Sequence, residues 1–145
     1  MQSGPSNSRV KIVLPNTLGY ERVAMACSAT FAQMHGLPPE RIEDLKTIVA
    51  EAAINAMQHG NVDRPEAQVT IRLKATAQGL KVAVIDEGRG FTETIKDPDI
   101  ERIMARQDEA VGFGLFLIRK LSDRVEFKPK PAGGHAVEML ISMKT

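Results

Sequence analysis

The first apolar pattern along the chain has the spacing of an amphipathic helix. Its members recur every three or four positions and are Tyr20, Val23, Cys27, Thr30, Phe31 and Met34. This period predicts a helix that begins near Leu18. We expect Asn16 or Thr17 to cap its first turn and Gly36 to stop it.

A second apolar stripe follows directly and predicts a longer helix. Proline is favoured in a first helical turn, so the start fits Pro38-Pro39-Glu40, and the end fits Gly60 with Asn61. The side chains on its apolar face are Ile42, Leu45, Ile48, Val49, Ala52, Ala53 and Ala56. Such a stripe is typical of a helix that packs against a core.

Strands are expected on both sides of this helical pair. A short one is predicted at residues 11–14. Apolar and polar side chains alternate over residues 69–75, which predicts a strand with one wet face. Residues 80–85 are apolar except for Lys81, as an inner strand would be, and Gln78-Gly79 forms the turn before them.

The last third of the chain predicts one more helix and a hairpin. Charges accumulate and the periodicity weakens over residues 92–111, which is typical of a functional loop or lid. A helix is expected over residues 114–121, and residues 125–128 and 136–143 form an antiparallel hairpin. Together these elements predict an α+β fold, a two-layer sandwich with helices on one face of a mixed or antiparallel sheet.

Composition and charge narrow the class of protein without identifying a partner. The 145 residues fit one domain, which we expect at 10–145 after a flexible tail at 1–9. The 19 basic and 18 acidic residues nearly balance, so neither nucleic acid nor a membrane surface is an expected partner. Cys27 has no second cysteine to pair with, and no apolar run approaches the roughly 18 residues of a membrane span. We therefore expect a cytoplasmic protein.

A polar row on the second helix is the first candidate for chemistry. Glu51, Asn55 and His59 lie four residues apart, so successive members are offset by only about 40° around the helix. The Asn55 amide oxygen suits Mg²⁺, and Glu51 suits a general base. Taken alone, the row fits a solvated helix edge better, and His59 fits a C-terminal helix position.

A second candidate follows the inner strand. Asp86 ends that strand and precedes Gly88 and Gly90. A carboxylate at this edge can accept a hydrogen bond from the exocyclic amine of adenine, and the glycines let the backbone pass close to the base. An equally good interpretation is a turn in which Asp86 caps backbone N–H groups.

A third candidate is Gly112-Phe113-Gly114, which we expect to open the last helix. Free N–H groups at a helix N-terminus attract phosphate. The alternative is a glycine-capped helix that enters the core. Neither the G-x-G-x-x-G fingerprint nor a G-x-x-x-x-G-K-[ST] phosphate loop is present.

In this order and on these elements, the three stretches resemble the N box, G1 box and G2 box of the GHKL ATPase superfamily, which has the Bergerat ATP-binding fold. The run Gly-Phe-Gly-Leu-Phe-Leu-Ile-Arg-Lys-Leu and the short domain are most similar to the anti-sigma-factor serine/threonine-protein kinases. The resemblance spans nearly the whole chain. Order and spacing together outweigh the alternative interpretation of each separate piece.

The resemblance implies a role for each matching residue. Glu51 would activate a serine hydroxyl of a protein substrate, and Asn55 would ligate Mg²⁺. Asp86 would bind the adenine amine of ATP, with Gly88 and Gly90 shaping the pocket.

The third stretch would contact the ATP phosphates. The nucleotide-binding residues expected there are Gly112, Phe113, Gly114 and Leu115. Residues 92–111 would form the ATP lid, and either Arg102 or Arg106 in it would approach the γ-phosphate.

The same resemblance implies partners and one departure. Members of this kinase family form homodimers, bind a sigma factor, and phosphorylate an anti-anti-sigma protein of the STAS type. The first helix or the sheet edge would supply the dimer contact. On the last strand, a threonine that helps hold adenine in the family is replaced near His135-Ala136-Val137.

Two other functions remain open at this stage. The domain would be a non-catalytic ATP-binding module if it only sequestered a sigma factor or another regulator. Retention of Glu51 argues against that function. A histidine-kinase fragment fits less well, because no helix pair with a phosphoaccepting histidine precedes the domain.

Overall fold

The computed structural model describes residues 8–88, 109–131 and 133–143, and it leaves out the side chains of residues 109–111. The strands are β1 (Arg9–Pro15), β2 (Gln68–Thr76), β3 (Gly79–Ile85), β4 (Arg124–Pro129) and β5 (His135–Ser142). The α-helices are α1 (Glu21–Met34), α2 (Pro39–Asn55) and α3 (Glu109–Leu121). All neighbouring strands are antiparallel, in the order β1-β2-β3-β5-β4. The predicted α+β fold is confirmed.

The core lies between the helices and one face of the sheet. Helix α2 packs against α1, α3 and the central strands β3 and β5. All seven side chains of its predicted apolar stripe are buried. On β2, Val69, Ile71, Leu73 and Ala75 face this core, as their alternation predicts. The other face of the sheet, which we call the open face, carries no described helix.

Helix α1 begins three residues later than predicted, and neither predicted N-terminal cap, Asn16 or Thr17, is formed. The predicted stop at Gly36, which has φ +82°, is confirmed. Gly19 has φ +108°, a left-handed conformation that an α-helix does not contain, so helical geometry starts only after it. The Asn16 side chain does not cap the helix. Its amide nitrogen donates instead to the backbone oxygens of Asn61 and Arg64, each at 3.2 Å.

The predicted apolar stripe of α1 is also wrong. Of its six members only Phe31 is buried, and the buried face consists of Ala24, Ser28, Phe31 and Ala32. Small side chains allow α1 to approach α2 closely. The larger side chains on the opposite face are therefore left exposed.

Helix α2 changes its geometry at the first candidate motif. The α-helical part ends at Asn55 and continues as one π-helical turn, Ala56–Gly60. Asn61 N–H donates to the Ala56 oxygen at 2.7 Å and closes the wide turn. The predicted end of the helical segment at Gly60 and Asn61 is confirmed. Single π turns inside α-helices occur frequently at functional sites.

Two predicted boundaries fall near segments outside the described residues. Helix α3 begins at Glu109, five residues earlier than predicted, so residues 109–111 of the expected lid are helical. The rest of that lid, residues 92–108, lies outside the described part. At the N-terminus, Arg9 already pairs with Lys74, within the segment predicted as a tail.

None of the described helices is long and apolar enough to span a bilayer.

Candidate functional site

Two members of the predicted polar row come together at the C-terminal end of α2. Glu51 and Asn55 both face Gly114 of α3. A β-carbon at Gly114 would lie 2.7 Å from Oε2 of Glu51 and 3.5 Å from Nδ2 of Asn55. The glycine thus leaves room for the carboxylate, and the first and third motifs form one site. His59 lies in the π turn instead.

Glu51 has the electrostatic environment of a proton acceptor. Its side chain is partly buried between the two helices, and burial raises the pKa of the carboxyl above its usual value. The proton affinity of its carboxylate is therefore higher than that of a carboxylate in water. This property suits a general base.

Asn55 places its side-chain amide beside the Glu51 carboxylate and Gly114. Its nitrogen is buried and has no hydrogen-bond partner among the described residues. The oxygen and nitrogen of such an amide can be exchanged by rotation, and its oxygen is a ligand that Mg²⁺ accepts. Within the described ranges, no three His, Cys, Asp or Glu side chains cluster to hold a metal by themselves. The residues fit a Mg²⁺ ion that takes its other ligands from phosphate and water.

Asp86 is held in a fixed orientation at the end of β3. Its side chain is buried, and its Oδ1 accepts hydrogen bonds from the backbone N–H groups of Gly88 and His135, each at 3.1 Å. The other oxygen, Oδ2, has no donor within the described part and lies against Gly60. Burial raises the pKa of Asp86, while the nearby His135 and the two N–H groups partly oppose this rise. One fixed, unsatisfied oxygen is what an exocyclic amine requires.

The second motif packs directly on the end of the first. A β-carbon at Gly60 would lie 2.2 Å from Oδ2 of Asp86, and one at Gly88 would lie 1.5 Å from the Gly60 oxygen. A side chain at either position would push the two segments apart. The turn after Asp86 therefore fits only against the π turn.

Asn61 joins these segments and was not predicted as a site residue. It is fully buried; its Oδ1 accepts from Glu87 N–H at 2.8 Å and its Nδ2 donates to the Gln68 oxygen at 3.0 Å. Arg64 also donates to the Glu87 oxygen. Asn61 thus fixes the residue next to Asp86. An asparagine after a helix-ending glycine resembles an ordinary cap, so the sequence carries no signal for this role.

His135 borders the same carboxylate from β5. Its Nδ1 lies 3.7 Å from Oδ1 of Asp86, and its backbone oxygen accepts from Asp86 N–H at 2.9 Å. The sequence identified this neighbourhood as a departure from the family pattern. The structure adds that the imidazole of His135 lies beside Asp86, the predicted adenine acceptor.

A cavity joins the three motifs and encloses about 560 Å³, including the part open to solvent. Its polar lining includes Asn55, Asp86 and His135. Its apolar walls are Ala52, Ala56, Val84, Leu115, Ile118, Phe127, Ala136 and Val137. Apolar walls with one fixed carboxylate suit a flat, weakly polar ring such as adenine.

The structure assembles most of the predicted site residues but not all. Glu51, Asn55, Asp86, Gly88, Gly114 and Leu115 lie in or beside the cavity. Phe113 does not line it, and 60% of its surface is exposed. Gly112 and Gly114 lie within α3, so the prediction that they open this helix is wrong. Gly90, Arg102 and Arg106 lie outside the described residues.

Two solved structures share this fold. The RsbU and RsbW domains of a Mycobacterium tuberculosis protein match with a TM-score of 0.64 and 19% identity, covering 91% of this chain and 31% of that one. The SiaB–SiaC complex of Pseudomonas aeruginosa matches with a TM-score of 0.64 and 12% identity, covering 91% and 88%. At these identities the likeness concerns the fold alone.

Two proteins with similar sequences are named as an anti-sigma factor and a serine-protein kinase. The anti-sigma F factor of Thermoanaerobacter pseudethanolicus is 29% identical over 119 residues, which is 82% of each chain. The serine-protein kinase RsbW of Bacillus velezensis is 29% identical over 122 residues, covering 81% of this chain and 76% of the relative.

A family model matches a longer part of the chain than these relatives do. The histidine kinase-like ATPase domain matches residues 14–141, from the end of β1 into β5. This span includes all three motifs, and it confirms the resemblance to GHKL ATPases. The chain therefore belongs to the histidine kinase-like ATPase domain family.

Proposed function

We propose that this protein is an ATP- and Mg²⁺-dependent protein-serine kinase that acts as an anti-sigma factor. The observation that carries the proposal is the Glu51 carboxylate, which is partly buried beside Asn55 and Gly114 next to the nucleotide cavity. An ATP-binding module that only sequesters a partner has no need of a general base there. The names of the relatives, serine-protein kinase RsbW and anti-sigma F factor, support the same function.

In the proposed mechanism each residue has one task. Asp86 Oδ2 accepts a hydrogen bond from the adenine amine, and the apolar walls exclude water from the ring. Asn55 would hold Mg²⁺, which would neutralise phosphate charge. Glu51 accepts the proton of a serine hydroxyl of the partner. The oxygen of that serine attacks the γ-phosphate of ATP, and ADP leaves.

The remaining predicted groups complete the phosphate end. Because Gly112 and Gly114 lie inside α3, we assign them a close approach of the phosphates to the helix rather than free N–H donors. We assign Gly90 to the base pocket and residues 92–108 to the lid. Arg102 and Arg106 are both candidates for the γ-phosphate contact. Because ATP is supplied in the cytoplasm, the proposed activity is cytoplasmic.

The partners in this proposal are a sigma factor and an anti-anti-sigma protein of the STAS type. With Mg²⁺ and γ-labelled ATP, the purified protein is expected to transfer phosphate to one serine of its cognate STAS protein. Mass spectrometry of the partner checks this. ATP-dependent capture of the partner or of a sigma factor, without phosphate on any serine, would contradict the kinase and favour the sequestering module.

We further propose that the protein is a homodimer formed through α1. The exposed positions Tyr20, Val23, Cys27, Thr30 and Met34 are spaced three, four, three and four residues apart. This spacing is that of a helix seam that packs against another helix. Val23 is 45% exposed and Met34 is 74% exposed, so the seam has no described partner within the chain.

Cys27 provides a direct test because it is the central residue of this seam. In a two-fold, antiparallel helix pair, the central residue lies beside its own copy. A short bismaleimide should therefore crosslink the wild-type protein into a covalent dimer, and Val23→Glu should give a monomer in light scattering. As a control, Cys27→Ser combined with Gln78→Cys moves the thiol to the β2–β3 turn and should not crosslink. A wild-type monomer, or a dimer unaffected by Val23→Glu, would contradict the proposed contact.

A further inference from the structure

The open face of the sheet carries an uneven distribution of charge. The strand pairing places seven cations on it, which are Arg9, Lys11, Arg72, Lys74, Lys81, Arg124 and Lys128. The carboxylates on the same face are Glu126 and Glu138. The whole chain, by contrast, carries 19 basic and 18 acidic residues. The open face is therefore strongly basic in a nearly neutral protein.

Like charges face each other directly across the strands. Lys74 of β2 is opposite Arg9 of β1 on one side and Lys81 of β3 on the other. Arg72 is opposite Lys11. Cross-strand neighbours lie about 4.5–5.5 Å apart at Cβ, and like charges at this distance destabilise a sheet. The arrangement therefore opposes folding rather than supporting it.

The carboxylates of this face do not neutralise the cations of β1, β2 and β3. Both are engaged by Lys128, which lies 3.0 Å from Glu138 and 3.7 Å from Glu126. In the described ranges, no carboxylate lies within 4.0 Å of the charged nitrogens of Arg72, Lys74 or Lys81. These three cations and Arg124 line a shallow groove together with Glu126 and Glu138. Ala83 and Leu140 form part of its floor.

We propose that the basic open face is a docking surface for an acidic protein partner. An apolar floor inside a charged rim is the composition of a protein interface. Single-stranded nucleic acid is disfavoured, because its sites need aromatic side chains for base stacking and no described aromatic residue lies on this face. A second copy of the chain is disfavoured because two such faces repel each other. The groove shares no lining residue with the nucleotide cavity, and the inference does not depend on the proposed kinase activity.

A matched pair of double variants tests the surface with a defined probe, a short fluorescent poly-glutamate peptide at about 0.15 M salt. Lys74→Gln/Lys81→Gln should weaken its binding about tenfold or more, because both charges border the groove. The control variant Lys46→Gln/Lys120→Gln removes the same number of positive charges from α2 and α3. It should change peptide binding by less than about twofold. ATP affinity should be unchanged in both variants, and Glu51→Gln should leave peptide binding intact. Equal losses in the two double variants would overturn the proposal.

Two further measurements separate docking from other roles. The Tm of Lys74→Gln/Lys81→Gln should rise by about 1–3 °C, because two opposed cation pairs are removed. A falling Tm would overturn the inference, since the lysines would then stabilise the sheet. Wild-type protein should bind oligo-dT of matched length, or phosphatidylserine vesicles, more weakly than poly-glutamate. Tighter binding to either would overturn it in favour of nucleic acid or a membrane.

Discussion

Glu51→Gln is expected to lower phosphoryl transfer by about 10²–10⁴-fold while changing ATP affinity by less than about threefold. Glutamine has nearly the same size, so it fills the same space against Gly114. It cannot accept the proton of the serine hydroxyl. The loss should therefore fall on the chemical step, which single-turnover kinetics with labelled ATP measures separately from nucleotide binding.

The pH dependence of the wild-type enzyme should carry the same signature. Because burial raises the pKa of Glu51, the rate should fall as the pH is lowered through that raised pKa. In Glu51→Gln this fall in rate at low pH should be absent, since no group titrates at that position. Glu43→Gln on the exposed side of the same helix is the matched control and should retain the wild-type rate and pH profile. Transfer by Glu51→Gln at the wild-type rate would remove the general-base assignment.

The parts of the fold that the sequence predicts well are those where one pattern has one interpretation. The α2 stripe is buried at every predicted position, because a helix in the centre of the core has apolar neighbours along its whole face. The alternation of β2 likewise identifies its two faces, since strand side chains have a period of two.

Helix α1 shows where the same reasoning fails. Its sequence contains two stripes, one of large apolar residues and one of small residues such as Ala24 and Ser28. Periodicity alone selects the large ones, but tight packing against α2 buries the small ones. The error is informative, because it identifies the exposed seam around Cys27 that we assign to the dimer.

The candidate site divides in a similar way. Glu51, Asn55 and Asp86 are recognisable because their chemistry and their position on an element are both readable along the chain. Gly60 and Asn61 acquire their roles at the site through contacts with Asp86 and Glu87, which are 26 positions away along the chain. Both residues lie in or directly after the π turn that begins at Ala56, and no residue pattern marks the change from α to π geometry.

Asp86→Asn is expected to weaken ATP binding by about 100-fold or more. The adenine amine is a donor, and in the variant it would face the amide –NH₂ of Asn, a second donor, instead of an acceptor. The Asn side-chain oxygen can still accept the N–H groups of Gly88 and His135, so the turn should keep its shape. The remaining –NH₂ group would then occupy the position of Oδ2 against Gly60. Isothermal titration with ATP measures the loss. Glu87→Gln, which removes a neighbouring exposed charge, should change affinity less than about threefold.

The same substitution should stabilise the nucleotide-free protein at neutral pH. Burial raises the pKa of Asp86 in the folded state, so protonation favours folding: the stability is greatest below the unfolded pKa and declines as the pH rises through the folded pKa. At pH 7 the ionised carboxylate therefore destabilises the nucleotide-free protein, and the substitution by asparagine removes this charge. Thermal unfolding should give the variant a higher Tm than wild type at pH 7, and the difference should shrink as the pH is lowered. Unchanged ATP affinity would show that Asp86 is not the adenine acceptor, and a lower Tm at pH 7 would show that its charge supports the fold. The predicted combination, weaker ATP binding with a more stable apo protein, is what distinguishes a carboxylate retained for its ligand from one retained for structure.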